Sequence, residues 1–141
     1  VAAMNDITNN IDQIQRLLED IDGHEQQRID TIKNRLYSSL EQIEQSGKVD
    51  ENRLEQEMIF YLDKLDLNEE KIRLTQHIKY FKEEMHHSDI SKGKKLGFIA
   101  QEIGREINTI GSKANSATIQ KNVIQMKNFL DKIKEQLANI L

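Results

Sequence analysis

Apolar side chains recur along this chain at alternating steps of three and four residues, which is the period of an amphipathic α-helix. The first stripe predicts a helix from about Met4 to Gln45, and it is made of two runs. The second run begins one residue late after Gly23, which predicts a kink or break at Asp22-Gly23. Ser46-Gly47 is a typical helix stop. The two runs are Ile7, Ile11, Ile14, Leu18 and Ile21, and then Ile29, Ile32, Leu36, Leu40 and Ile43.

A second helical segment is predicted from about Asp50 to His87, and its apolar face changes partway along. One side carries Leu54, Met58, Tyr61 and Leu65, and the nearly opposite side carries Leu67, Leu74, Ile78, Phe81 and Met85. Either the chain breaks at residues 66–69, a stretch with N-cap chemistry, or one long helix contacts different partners on its two sides. We favour the break.

Two more helices are predicted after a polar connection at residues 88–93, one from about Lys94 to Ala114 and one from about Ser116 to Ile140. Their inward positions are Leu96, Ile99, Ile103, Ile107 and Ile110, and then Ile119, Val123, Met126, Leu130, Ile133, Leu137 and Ile140. No stretch has the pattern of a β-strand. The sequence therefore predicts an all-α fold of long antiparallel helices or helical hairpins, with coiled-coil-like packing between them.

Composition narrows the class of protein. Only 37% of the 141 residues are hydrophobic, so the helices bury narrow stripes, and we expect long hairpins or a self-associating bundle. Cysteine is absent, which excludes disulfides and thiolate metal sites. No apolar run approaches the roughly 20 residues that cross a bilayer, and the start lacks the pattern of a signal peptide.

Charge is unevenly distributed along the chain. Residues 1–90 carry 11 Lys and Arg against 20 Asp and Glu, a balance of −9. Residues 91–141 carry 9 against 4, a balance of +5. The basic portion could bind a polyanion, or it could bind the acidic portion of a neighbouring subunit.

Candidate metal ligands lie on two of the predicted helices. Glu102 and Glu106 are one turn apart and could reach a single Mg²⁺ or Mn²⁺ ion, as could Asp66 with Glu70. His77 could join the first pair across a helix interface or carry a proton. The alternative interpretation is a solvated charged face held by helix pairs, with His77 as a hydrogen-bonded core histidine.

Glycines and lysines on the same helix suggest close approach of another molecule or another helix. Gly97, Gly104 and Gly111 recur every seven residues, and close packing of a helix is a simpler explanation than contact with a phosphate backbone. Lys94 and Lys95, near the start of the helix, could hold phosphate with the help of the N-terminal amides.

These residues together resemble a known family. Residues 93–114 read GKKLGFIAQEIGREINTIGSKA, which is similar to the signature of the YicC/YloC family in its C-terminal DUF1732 region. The preceding stretch agrees, with RLEQE at 53–57, DKLD at 63–66 and EEKIRLTQH at 69–77. The resemblance extends from about Val49 to Leu137. Lys94, Gly97 and Gly104 stand where the family often has Arg, Asp and Asn.

The resemblance implies a bacterial, cytoplasmic endoribonuclease that requires a divalent metal, typically Mn²⁺, and works as a homo-oligomer, possibly a hexamer. It implies metal or acid–base roles for His77, Glu102 and Glu106, with Asp66 and Glu70 as further ligands. It also implies RNA contacts, for which we assign Arg73, Lys94, Lys95, Arg105, Asn108 and Lys113.

The resemblance also bears on domain organisation, because full-length members carry an N-terminal half that has no counterpart in this sequence. We divide the chain into a helical arm at residues 1–48 and a YicC-like domain at residues 49–141. The alternative is a non-catalytic domain that oligomerises and clamps RNA, with the chemistry in the missing half. The sequence does not separate the two.

Overall fold

The computed structural model of this protein describes residues 2–45, 47, 52–56, 58–59, 66–87, 92–114 and 116–140. Within these residues the regular structure is helical and no strand occurs, which confirms the all-α prediction. The long helices are α1 (Ala2–Gln45), α2 (Asn68–Met85), α3 (Lys92–Lys113) and α4 (Ala117–Ile140). Residues 52–56 and 58–59 are also helical. None of the described helices is both long and apolar enough to span a bilayer.

The four helices form an antiparallel bundle in which each helix packs against two others. The most extensive contacts are between α1 and α4, followed by α2 with α3 and α3 with α4, and those between α1 and α2 are fewer. The Asn10 amide donates to the side-chain oxygen of Gln136 at 3.1 Å, so the start of α1 lies beside the end of α4. The pairing of Arg73 with Glu106 likewise sets α2 antiparallel to α3.

The core consists of the stripes that the heptad-like spacing predicts. Ile7, Ile11, Ile14, Leu18 and Ile21 are buried on α1, as are Leu74, Ile78, Phe81 and Met85 on α2. The inward positions of α3 and α4 are also buried up to Leu137, except that Ile99 is only partly so. Burial of this apolar surface is the main source of stability for helices that are otherwise highly polar.

Helix α1 differs from the prediction at Gly23, because the helix passes through this residue without a break. With 44 residues it is about 66 Å long, which is far longer than its bundle partners. Its first half packs into the core, and its second half extends beyond the bundle. There Ile29, Ile32, Leu36 and Leu40 are only half-buried. The helix is followed by Gly47 at φ 68°, which fits the predicted stop.

The predicted break before α2 is present, with Asp66 and Leu67 outside the helix. The detail of the cap differs from the prediction. Leu67 occupies the N-cap position and makes no side-chain cap hydrogen bond, while Asp66 Oδ1 accepts a hydrogen bond from the Asn68 N–H at 2.9 Å. The predicted boundary between residues 48 and 49 lies outside the described residues, so this division of the chain stays a prediction.

The tight connection between α3 and α4 is stabilised by side chains that cap both helices. Ser116 Oγ accepts from the Ile119 N–H at 3.4 Å, at the start of α4. The Gln120 amide donates to the carbonyls of Gly111 and Ala114, which lie at the end of α3. These bonds satisfy backbone groups that a helix end leaves without partners.

Candidate functional site at the polar end of the bundle

Buried polar side chains lie at one end of the bundle, the end at which α2 and α4 begin and α3 stops. We call this the polar end. In the described part of the chain, the polar or charged residues that are buried are Glu25, Arg28, Glu70, Glu106 and Asn122. Because burying a charge is costly unless it is compensated, their concentration at one end marks a candidate functional site.

The most extensive set of ion pairs at this end joins α2 to α3, and we call it the α2–α3 cluster: Glu70, Arg73, Glu106 and Lys113. Arg73 Nε donates to Glu106 Oε1 at 3.0 Å, and an Arg73 terminal nitrogen lies 3.7 Å from Glu70 Oε1. Lys113 Nζ donates to the same Glu70 oxygen at 2.6 Å. Glu70 is 2% exposed and Glu106 5%, whereas Arg73 is partly open to solvent.

Neighbouring carboxylates stabilise the charged form of Arg73 in this cluster. Partial desolvation acts to lower the pKa of Arg73, but the charges and hydrogen bonds of Glu106 and Glu69 outweigh it and raise that pKa above its usual value. Glu70 Oε2 is buried and accepts no hydrogen bond from the described residues. The cluster can therefore present cationic donors to an anion, together with a buried carboxylate oxygen that has capacity to accept a hydrogen bond.

A second set of ion pairs, the α1–α2 cluster, holds α1 against the start of α2. Lys71 Nζ pairs with the carboxylates of Asp22 and Glu25, and Glu25 Oε1 also accepts from the Leu67 N–H at 3.2 Å. Burial acts to lower the pKa of Lys71, but its hydrogen bonds and attraction to the two carboxylates raise it above its usual value.

Several of the predicted metal ligands make other contacts in the described structure. The Asp66 carboxylate accepts from its own helix start, Glu102 lies 3.8 Å from Arg105, and His77 makes no hydrogen bond to the predicted glutamates in the described structure. Glu70 and Glu106 do approach each other, but Arg73 lies between them.

The side chains around the α2–α3 cluster can be compared with the ligand set that a divalent ion requires. No group of three His, Asp or Glu side chains among the described residues is placed to hold a metal. Arg73 and Lys113 already supply the positive charge that a cation would bring to Glu70 and Glu106. As arranged within one chain, these residues do not fit a divalent metal site. The requirement for Mn²⁺ stays a prediction.

The predicted RNA-contacting residues fall into three groups at different heights of the α2–α3 pair. Arg73 and Lys113 lie in the α2–α3 cluster, and Arg105 and Asn108 are exposed on α3. Lys94 and Lys95 are exposed at the opposite end, where Lys95 Nζ lies 3.8 Å from Glu84. About 27 Å of helix separates Lys95 from Lys113 at 1.5 Å per residue.

Sequence reasoning missed Glu25, Arg28 and Lys71. A signal for the first two exists in the α1 stripe, which continues as Ile21, Glu25, Arg28 and Ile32 in steps of four, three and four. The late restart after Gly23 is therefore a heptad-like seam with two charged residues at inward positions. Glu70 holds the same place between Leu67 and Leu74 on α2. A charged residue that interrupts an otherwise regular seam is the pattern that would have identified Glu25 and Arg28.

Comparison with known proteins gives a consistent match. A sequence model of the family described as "Endoribonuclease YicC-like, C-terminal" matches residues 21–141. A protein of Clostridioides difficile named "Probable endoribonuclease YicC" is 35% identical over 136 residues, which are 96% of this chain and 46% of that protein. A Haemophilus influenzae protein of the same name is 35% identical over 92 residues, or 65% of this chain and 32% of its own length.

The chain thus spans about half or less of the length of these relatives. Both sets of ion pairs at the polar end lie entirely within the matched residues. The chain therefore belongs to the endoribonuclease YicC-like family, and it corresponds to the family's C-terminal domain.

Proposed function

We propose that this chain is the C-terminal domain of an endoribonuclease and that its polar end faces RNA during phosphodiester cleavage. The observation that carries the proposal is the α2–α3 cluster, in which two nearly buried glutamates hold Arg73 and Lys113 at a partly open surface. Both relatives are named as probable endoribonucleases, which supports the same activity.

The cluster suits the binding of a phosphodiester. The Arg73 guanidinium can donate two hydrogen bonds to phosphate oxygens, and the Lys113 ammonium adds a positive charge beside it. Glu106 and Glu70 fix the direction of both cations, so little side-chain entropy is lost when an anion binds. The negative charge that develops on a phosphate during cleavage would be stabilised by the same two cations.

Metal dependence belongs to the proposal for the whole protein, and the chain's own residues provide a test of it. If Mn²⁺ binds near Glu102 and Glu106, millimolar Mn²⁺ should raise the melting temperature, by mass action on the native state. The double variant Glu102→Gln with Glu106→Gln should lose that increase. An unchanged melting temperature in the unmodified chain would exclude a metal at these two positions in this domain.

The alternative function is a non-catalytic domain that assembles the protein and clamps RNA. It is favoured by the presence of cationic donors and the lack of a three-ligand metal group in the described residues. A cleavage assay with labelled single-stranded RNA separates the catalytic function from the non-catalytic one. The assay compares this chain with a full-length family member while Mn²⁺ is added stepwise. Cleavage by this chain alone supports the catalytic assignment. Tight binding without cleavage supports the clamp.

The role of the cluster is tested by Lys113→Gln with Lys121→Gln as the matched control, since Lys121 is exposed on α4 outside the cluster. We expect Lys113→Gln to weaken RNA binding several-fold and to reduce the salt dependence of the affinity by about one released counterion. The control should stay close to the unmodified chain. Equal effects of both variants would assign RNA binding to overall charge and not to this cluster.

A further inference from the structure

A polar cavity of about 330 Å³ lies where α1 passes the connection between α3 and α4. Its volume is at the lower end of the range of small-molecule sites. The residues that define its chemistry are His24, Arg28, Thr31 and Arg35 from α1, with Ser116 and Thr118 from the start of α4. Among the described residues that line it there is no carboxylate, and all but one carry a side chain that can donate a hydrogen bond.

Other cavities on this molecule have a different charge. The cavity between α1 and α2 is lined in part by Glu19 and Asp22, and another by Asp12. A third, beside the extended half of α1, includes Glu41, Glu44 and Glu55. The chain has a net charge of −4, whereas the described lining of this cavity includes two arginines and no carboxylate, which favours anions.

Arg28 is one of the residues that line this cavity, and it is 7% exposed. Burial lowers the pKa of Arg28 below its usual value, although the negative charges of Glu25 and Asp66 act against this shift. Glu25 also serves Lys71 and the Leu67 N–H, and the Asp66 carboxylate accepts from Asn68. Because burial disfavours the charged form of Arg28, an anion in the cavity would offset part of that cost.

The start of α4 adds donors on the other side of the cavity. Ser116 Oγ accepts from the Ile119 N–H. The N–H groups of the first turn of a helix have no carbonyl partner within the helix, so they can donate to a group outside it. The positive end of the helix dipole favours a negatively charged group at this place. The two arginines of α1 and the amino end of α4 thus face the same space.

We propose that this cavity binds a phosphate group, held between the guanidinium groups of Arg28 and Arg35 and the amino end of α4. The phosphate could belong to a phosphodiester of RNA or to a free phosphate. Asp66 connects the cavity to the α2–α3 cluster, because its charge acts on Arg28 and its backbone oxygen accepts from Lys113 Nζ at 3.5 Å. An RNA strand that crosses the polar end would reach both places. This RNA source rests on the proposed function, whereas binding of free phosphate does not.

The test is a titration of the whole chain with inorganic phosphate, followed by the amide NMR signals and compared with chloride at equal ionic strength. We expect saturable shifts at Arg28, Ser116 and Thr118. Arg35→Gln should weaken phosphate binding about tenfold, because it removes one of the two guanidinium groups of the cavity. The variant should still fold, since Arg35 is exposed on α1. The matched control is Arg16→Gln, which removes an exposed arginine of the same helix outside the cavity.

Arg28→Gln is expected to abolish phosphate binding, and the Arg35 variant keeps the test valid if that protein fails to fold. Competition with a short single-stranded RNA then identifies the source of the phosphate. Parallel loss of RNA and phosphate affinity in Arg35→Gln assigns the site to RNA, and loss of phosphate affinity alone assigns it to free phosphate.

Shifts that do not saturate, or that are equal in the unmodified chain and Arg35→Gln, would overturn the phosphate site. If RNA still binds in that case, the proposed function survives without this cavity. If phosphate binds here but RNA neither binds nor is cleaved, the proposed function fails and the phosphate site stands.

Discussion

At the scale of single residues, the unusual feature of this domain is charge at inward positions of helices. Glu25 and Arg28 on α1 and Glu70 on α2 occupy places where neighbouring turns carry isoleucine or leucine. Each has opposite charge nearby: Lys71 for Glu25, Lys113 and Arg73 for Glu70, and the carboxylates of Glu25 and Asp66 for Arg28. Such pairs contribute little net stability compared with apolar side chains, so their presence at one end favours a functional explanation.

Lys71 provides a prediction about pH. Its pKa is higher in the folded chain than in the unfolded chain, so its ion pairs contribute their full stability below the unfolded value of about 10.4. This contribution is lost as the pH rises through the folded pKa. We expect Lys71→Gln to be less stable than the unmodified chain at pH 8, with the difference shrinking toward pH 12. Urea denaturation across this range measures it.

The control for this experiment is Lys79→Gln, which removes an exposed lysine from the same helix. Its difference from the unmodified chain should be small and independent of pH. A difference for Lys71→Gln that stays constant from pH 8 to pH 12 would show that the Asp22 and Glu25 pairs do not raise this pKa.

Glu106 and Glu102 should differ in their effect on stability, although both were predicted from the sequence as ligands of one ion. Glu106 is almost buried and bonded to Arg73, whereas Glu102 lies on the surface near Arg105. We expect Glu106→Gln to reduce the free energy of unfolding by about 1 kcal/mol, because the ion pair with Arg73 becomes a hydrogen bond from a cation to a neutral amide. Glu102→Gln should cost less than about 0.5 kcal/mol. Urea denaturation without metal, with equal losses in both variants, would contradict this assignment.

At the scale of helices, the three glycines of α3 have different surroundings. A methyl group at Gly104 would lie 3.1 Å from Leu130 Cδ2, and one at Gly111 would lie 3.1 Å from Val123 Cγ1. Gly97 has open space around it. Close packing against α4 therefore explains the second and third glycines, as the seven-residue spacing suggested, and it does not explain the first.

Alanine substitutions should separate these cases. Gly97→Ala should stabilise the chain by about 1 kcal/mol, because alanine is the better helix former and nothing opposes the methyl group. Gly111→Ala should gain less or lose stability, since Val123 is β-branched and has little freedom to move away. Denaturation midpoints of the two variants measure the difference. Equal gains would show that α3 and α4 can separate slightly at no cost.

At the scale of the whole molecule, the extended half of α1 leaves apolar surface uncovered. Ile32, Leu36 and Leu40 are half-buried there and Tyr37 is exposed. The acidic balance of residues 1–90 and the basic balance of residues 91–141 would allow two copies to attract each other. We therefore propose that a second copy of this chain covers this surface.

The expected result is a dimer or larger species in sedimentation at micromolar concentration. Leu36→Glu with Leu40→Glu should lower the mass to that of the monomer while the helical content is retained, because neither residue lies in the bundle core. Ser39→Glu adds charge at an exposed position of the same segment and should leave the mass unchanged. A monomer at all concentrations would exclude this assembly. Leu130→Glu is unsuitable as a probe, since Leu130 is buried and its loss would unfold the bundle.

Much of the fold could be predicted from the residues alone. The spacing of isoleucine and leucine identified the helices and their buried faces, and the break before α2 followed from the change of face near Leu67. The candidate site was less accessible. Glu106 and Lys113 were identified by their place on α3, but their partners Arg73 and Glu70 depend on how α2 packs against that helix.

By itself the sequence determined that this protein is helical, where its apolar stripes lie and to which family it belongs, because helix period and motif are properties of neighbouring residues. Only the tertiary structure decided that α1 runs unbroken through Gly23, that Arg73 and Lys113 compensate Glu106 and Glu70, and that the buried charges gather at one end. Those outcomes depend on contacts between residues 43 positions apart, as for Glu70 and Lys113, and 105 apart, as for Leu17 and Asn122. Compensation of a buried charge comes from whichever helix packs against it, and no local pattern specifies that partner.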